Sequence, residues 1–263
     1  HYLKHHAEAD WRFEVFDATA AFALLSLHGP KSREILQSLS GNDLSAAALP
    51  FGAAAEIDLA HARVWVIRRS FVGELGFEIL VSSEFAGAVY EALVGQGAPL
   101  GMRHMGMFAL NACRIEKGFL HFGHDIGEED TPLEVGLGFA VDWEKPDFLG
   151  RAALVQQRQS FGPNTAHRSV ALHVPGLEAE TGPYLIHNEP IWCQGEIVGH
   201  VTSGDFGFRL AGVYGLATVH QKSGVTPEWI RDSAFEVQIA GQFYPAKLSL
   251  KGFYDPQSTR MRG

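Results

Sequence analysis

The chain has 263 residues, of which 46% are hydrophobic and 19% are charged, and its formal net charge is −9 at pH 7. This length suits one large domain or two smaller ones, and no apolar run reaches the ~20 residues that a membrane-spanning helix needs. An acidic chain without a basic stripe is not typical of nucleic-acid binders. We therefore expect neither a nucleic acid nor a membrane as a partner.

Cysteine usage indicates the redox compartment of the protein, and the start of the chain indicates the extent of its first domain. Cys113 and Cys193 are far apart in the sequence, which argues against a disulfide framework or a Cys-rich zinc site. We expect a reducing compartment: the cytoplasm, or the mitochondrial matrix if the source is eukaryotic. The chain starts without Met, and Trp11 to Val15 reads as a strand already under way, so we expect the first domain to lack its N-terminal part.

The first third of the chain alternates predicted strands and helices. A proline suits the first turn of a helix, so Gly29-Pro30 predicts a helix that runs to about Leu39. A second helix opens at Ser82-Ser83-Glu84 and ends near Gly95. Runs rich in Val, Phe and Leu predict strands at residues 11–17, 21–28, 54–60, 63–71 and 77–81.

Two further helices and a capping motif follow. One helix is predicted from about Arg103 to Lys117, with Gly118 as its stop, and a shorter one from Gly150 to Gln159. The segment Thr131-Pro132-Leu133-Glu134 matches a capping box, in which the Thr hydroxyl caps the N3 amide and the Glu reaches back to the Thr amide.

After Ser160 the pattern changes from mixed to almost all strands and turns. Gly162-Pro163-Asn164 is typical of a linker, and Gln194-Gly195 and Gly241-Gln242 are typical of hairpin turns. We predict an α+β domain at residues 1–162 and a small all-β barrel domain at residues 163–263. The predicted strands of the barrel are 169–174, 191–193, 197–202, 213–219, 235–239 and 243–248.

The most informative motif is Arg68 to Ile79, where two glycines flank Glu74 and a second carboxylate, Glu78, lies on the next strand. If Glu78 points inward, it needs hydrogen-bond donors. The amino group and ring N–H of a pterin or guanine form a planar pair that a carboxylate binds bidentately. The alternative is a hairpin whose Glu pairs with an Arg.

A second motif, Asn111 to Phe119, puts Asn111, Arg114 and Gly118 on one helix face. Arg114 is a candidate partner for Glu78 or for the glutamate tail of a folate. The alternative is a structural ion pair on a packed helix.

A third motif is His121-Phe122-Gly123-His124-Asp125. Its order does not fit a His-Glu-x-x-His zinc site, and no third cluster of ligands accompanies it. A turn is the simpler interpretation, so no metal site is predicted.

Five motifs, in order and with consistent spacing along nearly the whole chain, resemble the glycine-cleavage T-protein (aminomethyltransferase) family. The resemblance implies a folate-binding fold that is N-terminally truncated here, a C-terminal barrel and tetrahydrofolate as cofactor. The motifs are Leu27-His28-Gly29-Pro30, Phe71-Val72-Gly73-Glu74-Leu75-Gly76-Phe77-Glu78, Cys113-Arg114-Ile115-Glu116-Lys117-Gly118, Thr131-Pro132-Leu133-Glu134 and Val201-Thr202-Ser203-Gly204.

Within this family the chain is most similar to the folate-binding C-terminal regions of dimethylglycine and sarcosine dehydrogenases. In those proteins an N-terminal flavin domain, with FAD, oxidises a methylated amine, and tetrahydrofolate traps the one-carbon unit. True T-proteins receive an aminomethyl group from a lipoyl carrier protein instead. The resemblance implies a folate-dependent one-carbon transferase with one of these two partners.

The resemblance also implies the cofactor-binding residues. Glu78 is expected to hold the pterin ring, with Arg114 as a further candidate, while Phe71, Phe139 and Trp192 stand where the family has Tyr, Trp and Arg. The missing Tyr hydroxyl argues against classical T-protein activity. The family's catalytic aspartate lies in a segment upstream of everything present here, so no catalytic residue is assigned.

Two other activities share the expected fold. A non-enzymatic folate-binding assembly factor would carry a Cys after the helix end, where this chain has Phe119-Leu120-His121. A folate-dependent demethylase acting on a sulfonium or aryl ether remains an open alternative.

Overall fold

The computed structural model describes residues 2–8, 10–178 and 182–262 of the chain. The chain divides into two compact units: residues 1–70, 74–104 and 260–263, which we call the sheet unit, and residues 71–73 and 105–259, which we call the barrel unit. The boundary predicted between residues 162 and 163 stays a prediction. Among the described residues, no helix is both long enough and apolar enough to cross a membrane.

The sheet unit is built on four antiparallel strands. They are β1 (Phe22–His28), β2 (Ala54–Leu59), β3 (Ala62–Ile67) and β4 (Gly76–Ser82). Their order across the sheet is β1-β4-β3-β2. The helices of this unit are α1 (Tyr2–His5), α2 (Ser32–Ser38) and α3 (Ala86–Gly97).

One face of this sheet forms the core of the unit and the other does not. Because side chains alternate along a strand, Phe77, Ile79 and Val81 of β4 point to the same side and are fully buried. They pack with residues of α2 and α3, such as Leu36 and Val89, in one apolar cluster. The opposite face carries the intervening residues, including Glu78.

The barrel unit combines helices α4, α5 and α6 with a closed barrel of six antiparallel strands. Helix α4 (Met107–Lys117) packs on β7 and β8, and helix α5 (Arg151–Phe161) precedes the first barrel strand. The barrel closes in the order β10-β5-β8-β7-β6-β9, which confirms the predicted α+β fold with a C-terminal all-β barrel. Its strands are β5 (Thr165–Val174), β6 (Pro190–Cys193), β7 (Glu196–Gly207), β8 (Gly212–Val225), β9 (Phe235–Ile239) and β10 (Gln242–Ser249), with α6 (Pro227–Asp232) between β8 and β9. Helix α7 (Thr259–Arg262), near the C-terminus, belongs to the sheet unit apart from its first residue.

Both predicted hairpin turns occur in the barrel, one of them displaced. Gln194 and Gly195 have φ values of 53° and 82°, as a type I′ turn requires at both central residues. The turn predicted at Gly241-Gln242 lies one residue earlier, at Ala240-Gly241, with φ values of 49° and 84°. Gln242 already pairs with Ile239 across the hairpin, so it belongs to the strand.

Two predictions for the N-terminal half were wrong. Residues 11–17 are not a strand: they are irregular and exposed, although Trp11, Phe13 and Val15 alternate as a strand requires. The strand predicted at 63–71 ends at Ile67, because the chain then turns and the side chain of Arg68 is buried.

One predicted helix begins later than expected, and the predicted capping box forms. The helix predicted from Arg103 begins at Met107, and it ends at Gly118, whose φ of 76° is the left-handed stop that was predicted. The capping box forms, since the Thr131 amide donates to Glu134 Oε2 at 3.0 Å and the Glu134 amide to Thr131 Oγ1 at 3.3 Å. However, turns follow it and not a helix.

Candidate functional site

Glu78 lies in the middle of β4, on the face of the sheet that no helix of its unit covers. Its side chain is 23% exposed, and its carboxylate lies 3.8 Å from the guanidinium of Arg69. Across the sheet its register partners are Ser26 on β1 and Ile67 on β3. The sequence left open whether Glu78 pairs with an Arg or with a ligand. Its contact with Arg69 is long and the Arg69 side chain is 61% exposed, so the carboxylate can still accept hydrogen bonds from a ligand.

The turn before β4 is shaped by close packing at Gly76. A Cβ atom there would lie 2.1 Å from His28 Nδ1 and 2.7 Å from the carbonyl oxygen of Arg69, so a side chain does not fit. Arg68 is buried beside the turn and donates to the carbonyl oxygens of Leu49, at 2.9 Å, and Arg262. Gly76 and Arg68 therefore fix the backbone that leads into Glu78.

Phe71, the second predicted ligand residue, belongs to the barrel unit. Its ring is stacked with that of Phe119 at a centroid distance of 6.3 Å and meets His121 edge-on at 6.4 Å. The backbone next to it is held by Arg209, which donates to the carbonyl oxygen of Val72 at 2.9 Å. The backbone of the motif that carries Phe71 is thus held by Arg209, a residue of the same unit.

Arg209 is a residue that sequence reasoning missed. It forms an ion pair with the buried carboxylate of Glu116, donates to the carbonyl oxygen of Cys113 at 2.6 Å and stacks over the Tyr254 ring at 3.7 Å. These contacts fasten the C-terminal half of α4 to the loop between β7 and β8. The resemblance had singled out Glu116 as a motif residue, but its partner lies 93 positions away and carried no signal of its own.

Arg114 lies at the centre of a buried group that we call the polar cluster: Asn111, Arg114, Asp125, Thr202 and Ser203. Arg114 is 1% exposed and forms an ion pair with Asp125. Its guanidinium also donates to Asn111 Oδ1 at 2.7 and 2.9 Å, to Ser203 Oγ at 2.7 Å and to the carbonyl oxygen of Phe119 at 3.2 Å. Every N–H of the guanidinium therefore has an acceptor.

The position of Arg114 corrects one prediction. Arg114 forms its ion pair with Asp125, and Glu78 forms its own with Arg69. The predicted pairing of Arg114 with Glu78 is therefore wrong. The alternative of a structural ion pair on a packed helix is the one observed. A contact between Arg114 and a folate tail stays a prediction, and the guanidinium has no N–H left with which to make it.

The Val-Thr-Ser-Gly motif supplies the barrel side of the polar cluster. Neighbouring side chains of a regular strand point to opposite faces, but the register of β7 shifts between Val201 and Ser203, as at a β-bulge. Thr202 Oγ1 and Ser203 Oγ consequently both donate to Asp125 Oδ1, at 2.7 and 2.6 Å. Gly204 completes the motif, since a Cβ there would lie 2.2 Å from that of Leu185.

Asp125 is held as an anion by this cluster. Burial raises the pKa of its carboxyl group, but hydrogen bonds from Ser203, Thr202 and the His121 amide, together with the charge of Arg114, lower it more, and the net pKa lies below the usual value of 3.8. The predicted turn at residues 121–125 is present. Asp125 Oδ2 accepts from the His121 amide within the turn and from Arg114, and its Oδ1 accepts from Thr202 and Ser203. Among the described residues no group of His, Cys, Asp and Glu is arranged to hold a metal ion.

The other two predicted ligand residues lie elsewhere in the barrel unit. Phe139 is on a single turn of 3₁₀ helix at Gly138–Ala140 and is 86% exposed, so it walls no cavity within its unit. Trp192 is on β6, with its ring 5.6 Å from that of Phe243. Its Nε1 is buried and has no hydrogen-bond partner among the described residues.

Comparison with protein-family models identifies two matching regions. Residues 1–145 match the GCVT N-terminal domain, and residues 173–255 match the glycine cleavage T-protein C-terminal barrel domain. The two matches lie in the order that the sequence motifs predicted.

Known proteins of two kinds are similar to the chain. It is 39% identical over 250 residues to 4-methylaminobutanoate oxidase (formaldehyde-forming) of Paenarthrobacter nicotinovorans, and 34% identical over 259 residues to mitochondrial sarcosine dehydrogenase of Mus musculus. These matches cover 95% and 97% of the chain but 29% and 27% of the relatives. Dimethylglycine dehydrogenases and aminomethyltransferases are also among the relatives.

A solved structure has the same fold. The glycine cleavage system aminomethyltransferase T from Bartonella henselae superposes with a TM-score of 0.72, over 89% of this chain and 60% of that one. The two sequences are 24% identical in this comparison, so the likeness concerns the fold alone.

Proposed function

The chain belongs to the glycine cleavage T-protein family, and from this we propose that it binds a reduced folate and takes part in tetrahydrofolate-dependent one-carbon transfer. The family includes folate-dependent aminomethyltransferases and is related to dehydrogenases that oxidise methylated amines. The chain spans less than two thirds of the relatives it matches, so the activity of the whole protein is part of this proposal.

The observation that carries the proposal is the placement of Glu78. A carboxylate in the middle of a strand, on a face that no described helix of its own unit covers and only 23% exposed, is suited to a planar ligand with paired N–H donors. A hydrogen bond to a charged group contributes about 1.5–3 kcal/mol. Arg69, whose side chain is 61% exposed, is free to move aside when such a ligand binds.

The residues of the chain also fit the other end of a folate. The indole N–H of Trp192 is buried and has no acceptor among the described residues, and a donor left in that state costs about 1–3 kcal/mol. A carboxylate of the folate tail would supply the missing acceptor. Bound tetrahydrofolate would contribute one nitrogen of its reduced ring and one of its bridge, both able to accept a one-carbon unit.

The remaining predicted residues divide into two roles. Phe71 would form an apolar wall, held in place through the Val72 carbonyl by Arg209, and Phe139 would offer a second aromatic surface. Arg114 would act on the site through other residues, because its N–H groups are all used inside the polar cluster. It fixes the loop at Phe119, whose ring stacks with Phe71.

We further propose that the chain is the folate module of a flavin-dependent N-methyl amine dehydrogenase. The oxidase and the sarcosine and dimethylglycine dehydrogenases that it resembles act, by their names, on small N-methylated amino acids. In such a protein an FAD domain would oxidise the N-methyl group, and this module would pass the carbon to tetrahydrofolate. Phe71, in place of the Tyr of aminomethyltransferases, supports this assignment over the use of a lipoyl carrier protein.

Calorimetric titration of the full chain with a reduced folate tests the proposal. We expect binding, and a loss of affinity of about 10-fold or more for Glu78→Gln, which keeps the shape of the side chain and removes its charge. Glu91→Gln is the matched control, because Glu91 is an exposed carboxylate of the same unit that lies on α3, the helix that packs on the opposite face of the sheet. Absence of folate binding by the unmodified chain, or equal affinities for the two variants, would contradict the proposal.

A further inference from the structure

The sheet face that carries Glu78 also carries an apolar patch next to it. Leu24 on β1 and Trp65 on β3 are both register partners of Leu80 on β4, one on each side of it. Residues directly opposite one another in an antiparallel sheet lie on the same face. Leu24, Leu80 and Trp65 therefore form one row across the sheet, which we call the apolar row.

The apolar row is adjacent to the row of Glu78. Leu80 and Glu78 are two residues apart on β4, which places their side chains on the same face about 7 Å apart along the strand. Trp65 is a diagonal neighbour of Glu78 in the same way, and diagonal pairs are within reach of aromatic side chains. A carboxylate and a large flat ring are thus offered to the same ligand from two neighbouring strands.

Trp65 is unusually exposed for its type and has no role in the core. It is 46% exposed and Leu24 is 55% exposed, whereas tryptophan is highly buried on average. Its indole has no ring contact or hydrogen bond with any other described residue. Trp65 and Leu24 thus offer apolar surface to a ligand directly beside the carboxylate of Glu78.

We propose that Trp65 stacks on the pteridine ring of the folate whose amino group and ring N–H the proposed function assigns to Glu78. The inference rests on the proposed function and adds a residue that determines specificity. The two side chains recognise different properties of one ligand: Glu78 the paired donors at its edge, and Trp65 the flat face of its pyrimidine ring. A purely apolar ligand would leave Glu78 without donors, and an extended polar peptide would leave Trp65 exposed.

The test uses 6-methyltetrahydropterin, which has the ring system of the folate without its tail, together with tetrahydrofolate. For both ligands we expect Trp65→Thr to weaken binding roughly 10-fold or more, in line with the loss of stacking between a heterocycle and an aromatic side chain. Trp65→Phe keeps an aromatic face and should stay within about 3-fold of the unmodified chain. Thr suits a strand, and Trp11→Thr is the matched control, since Trp11 is also an exposed tryptophan of the sheet unit but lies outside the sheet.

Fluorescence provides a readout that a merely structural effect would not give. A pteridine ring stacked on Trp65 should quench its emission, so the change induced by 6-methyltetrahydropterin, which has no tail to reach Trp192, should be largely absent in Trp65→Phe and retained in Trp11→Phe. If Trp65→Thr does not fold, this comparison of the two Phe variants decides the question.

The outcomes separate this inference from the proposed function. If the unmodified chain binds no reduced folate, the proposed function fails and the inference with it. If tetrahydrofolate binds with the expected dependence on Glu78 but Trp65→Thr binds equally well, or quenching persists in Trp65→Phe, the inference alone is overturned. In that event the apolar row is covered by something other than the ligand.

Discussion

At the scale of single residues, Asp125 and Arg114 explain why three distant motifs accompany one another. Two charges taken out of water lose solvation that only good geometry and additional hydrogen bonds restore. Here Asn111, Thr202 and Ser203 provide those bonds. The ion pair therefore depends on α4, the turn at residue 125 and the bulge of β7 all being in place.

Replacing Asp125 by Asn should destabilise the chain by about 3 kcal/mol or more, because Arg114 would keep a buried charge without its counter-charge. Urea denaturation at pH 7 measures the change. Asp232→Asn is the matched control: Asp232 also pairs with an arginine, but both partners are exposed, and exposed pairs contribute little. Equal midpoints for the two variants would show that the cluster does not depend on the charge of Asp125.

The pH dependence of this effect has a definite sign. The pKa of Asp125 is lowered on folding, chiefly by hydrogen bonds from Ser203 and the charge of Arg114 working against burial. Its contribution is thus complete above the unfolded value of 3.8 and is lost as the pH falls through the lower folded value. The stability difference between the unmodified chain and Asp125→Asn should stay constant from pH 7 to 5 and shrink only below about pH 4; a difference that shrinks already between pH 7 and 5 would contradict this assignment.

At the scale of elements, the end of α4 is fixed by a glycine for two separate reasons. Gly118 has a φ of 76°, and a Cβ there would also lie 2.8 Å from the backbone of Gly252. The left-handed conformation costs a residue with a Cβ about 1–2 kcal/mol. The contact with Gly252 adds a steric cost that the backbone on both sides has little room to relieve.

Gly118→Ala should therefore cost clearly more stability than Gly101→Ala. Gly101 has a φ of 84°, but a Cβ there meets nothing within 4 Å, so its substitution should cost only the conformational term of about 1–2 kcal/mol. Thermal unfolding of the two variants isolates the steric part. Equal costs would mean that Gly252 moves aside without penalty.

The comparison of predicted and observed elements separates local from long-range information. Gly118 stops its helix as predicted because the signal is local. Residues 11–17 have the alternation of a strand, but a strand also needs a neighbour to pair with, and alternation does not reveal one. The capping box at Thr131 forms its hydrogen bonds without a helix after it, since capping stabilises a helix start but does not extend it.

The candidate sites show the same division. Glu78 was recognisable as a candidate because a carboxylate on a strand that directly follows the glycine-flanked Glu74 is a local pattern. The partner of Arg114 was not, since Asp125 and Ser203 lie 11 and 89 residues away. The bulge that turns Thr202 and Ser203 to the same side is a property of the pairing between β7 and β8, which the motif letters do not contain.

At the scale of the whole molecule, the barrel closes unevenly. Strands β5 and β8 pair from Thr165 to Val174, whereas β5 and β10 pair only through Lys247, Leu248 and Ser249. Local opening starts where the fewest backbone contacts have to break. The boundary between β5 and β10 is therefore one of two weak parts of the closed barrel, together with the boundary between β6 and β9, which also pairs through three residues of each strand.

Hydrogen exchange should reveal the weak boundary between β5 and β10. We expect the amides of Lys247 to Ser249 to exchange faster than those of Ala217 to Val219 on β8, which pair with Arg168 to Val170 of β5, under native conditions followed by mass spectrometry. The pairing of β9 with β10, from Phe235 to Ala246, is an internal reference on the same strand. Uniform protection along both edges of β5 would contradict the expectation.

The saturation of Arg114 has a consequence for how this protein can diverge. No other side chain carries as many N–H donors in a planar array, so a single substitution there leaves Asn111, Asp125 and Ser203 each short of a donor. A lineage can lose Arg114 only if several of these positions change with it. We therefore expect the positions of the polar cluster to vary together or not at all among homologous sequences, while Glu56 and other exposed carboxylates drift independently.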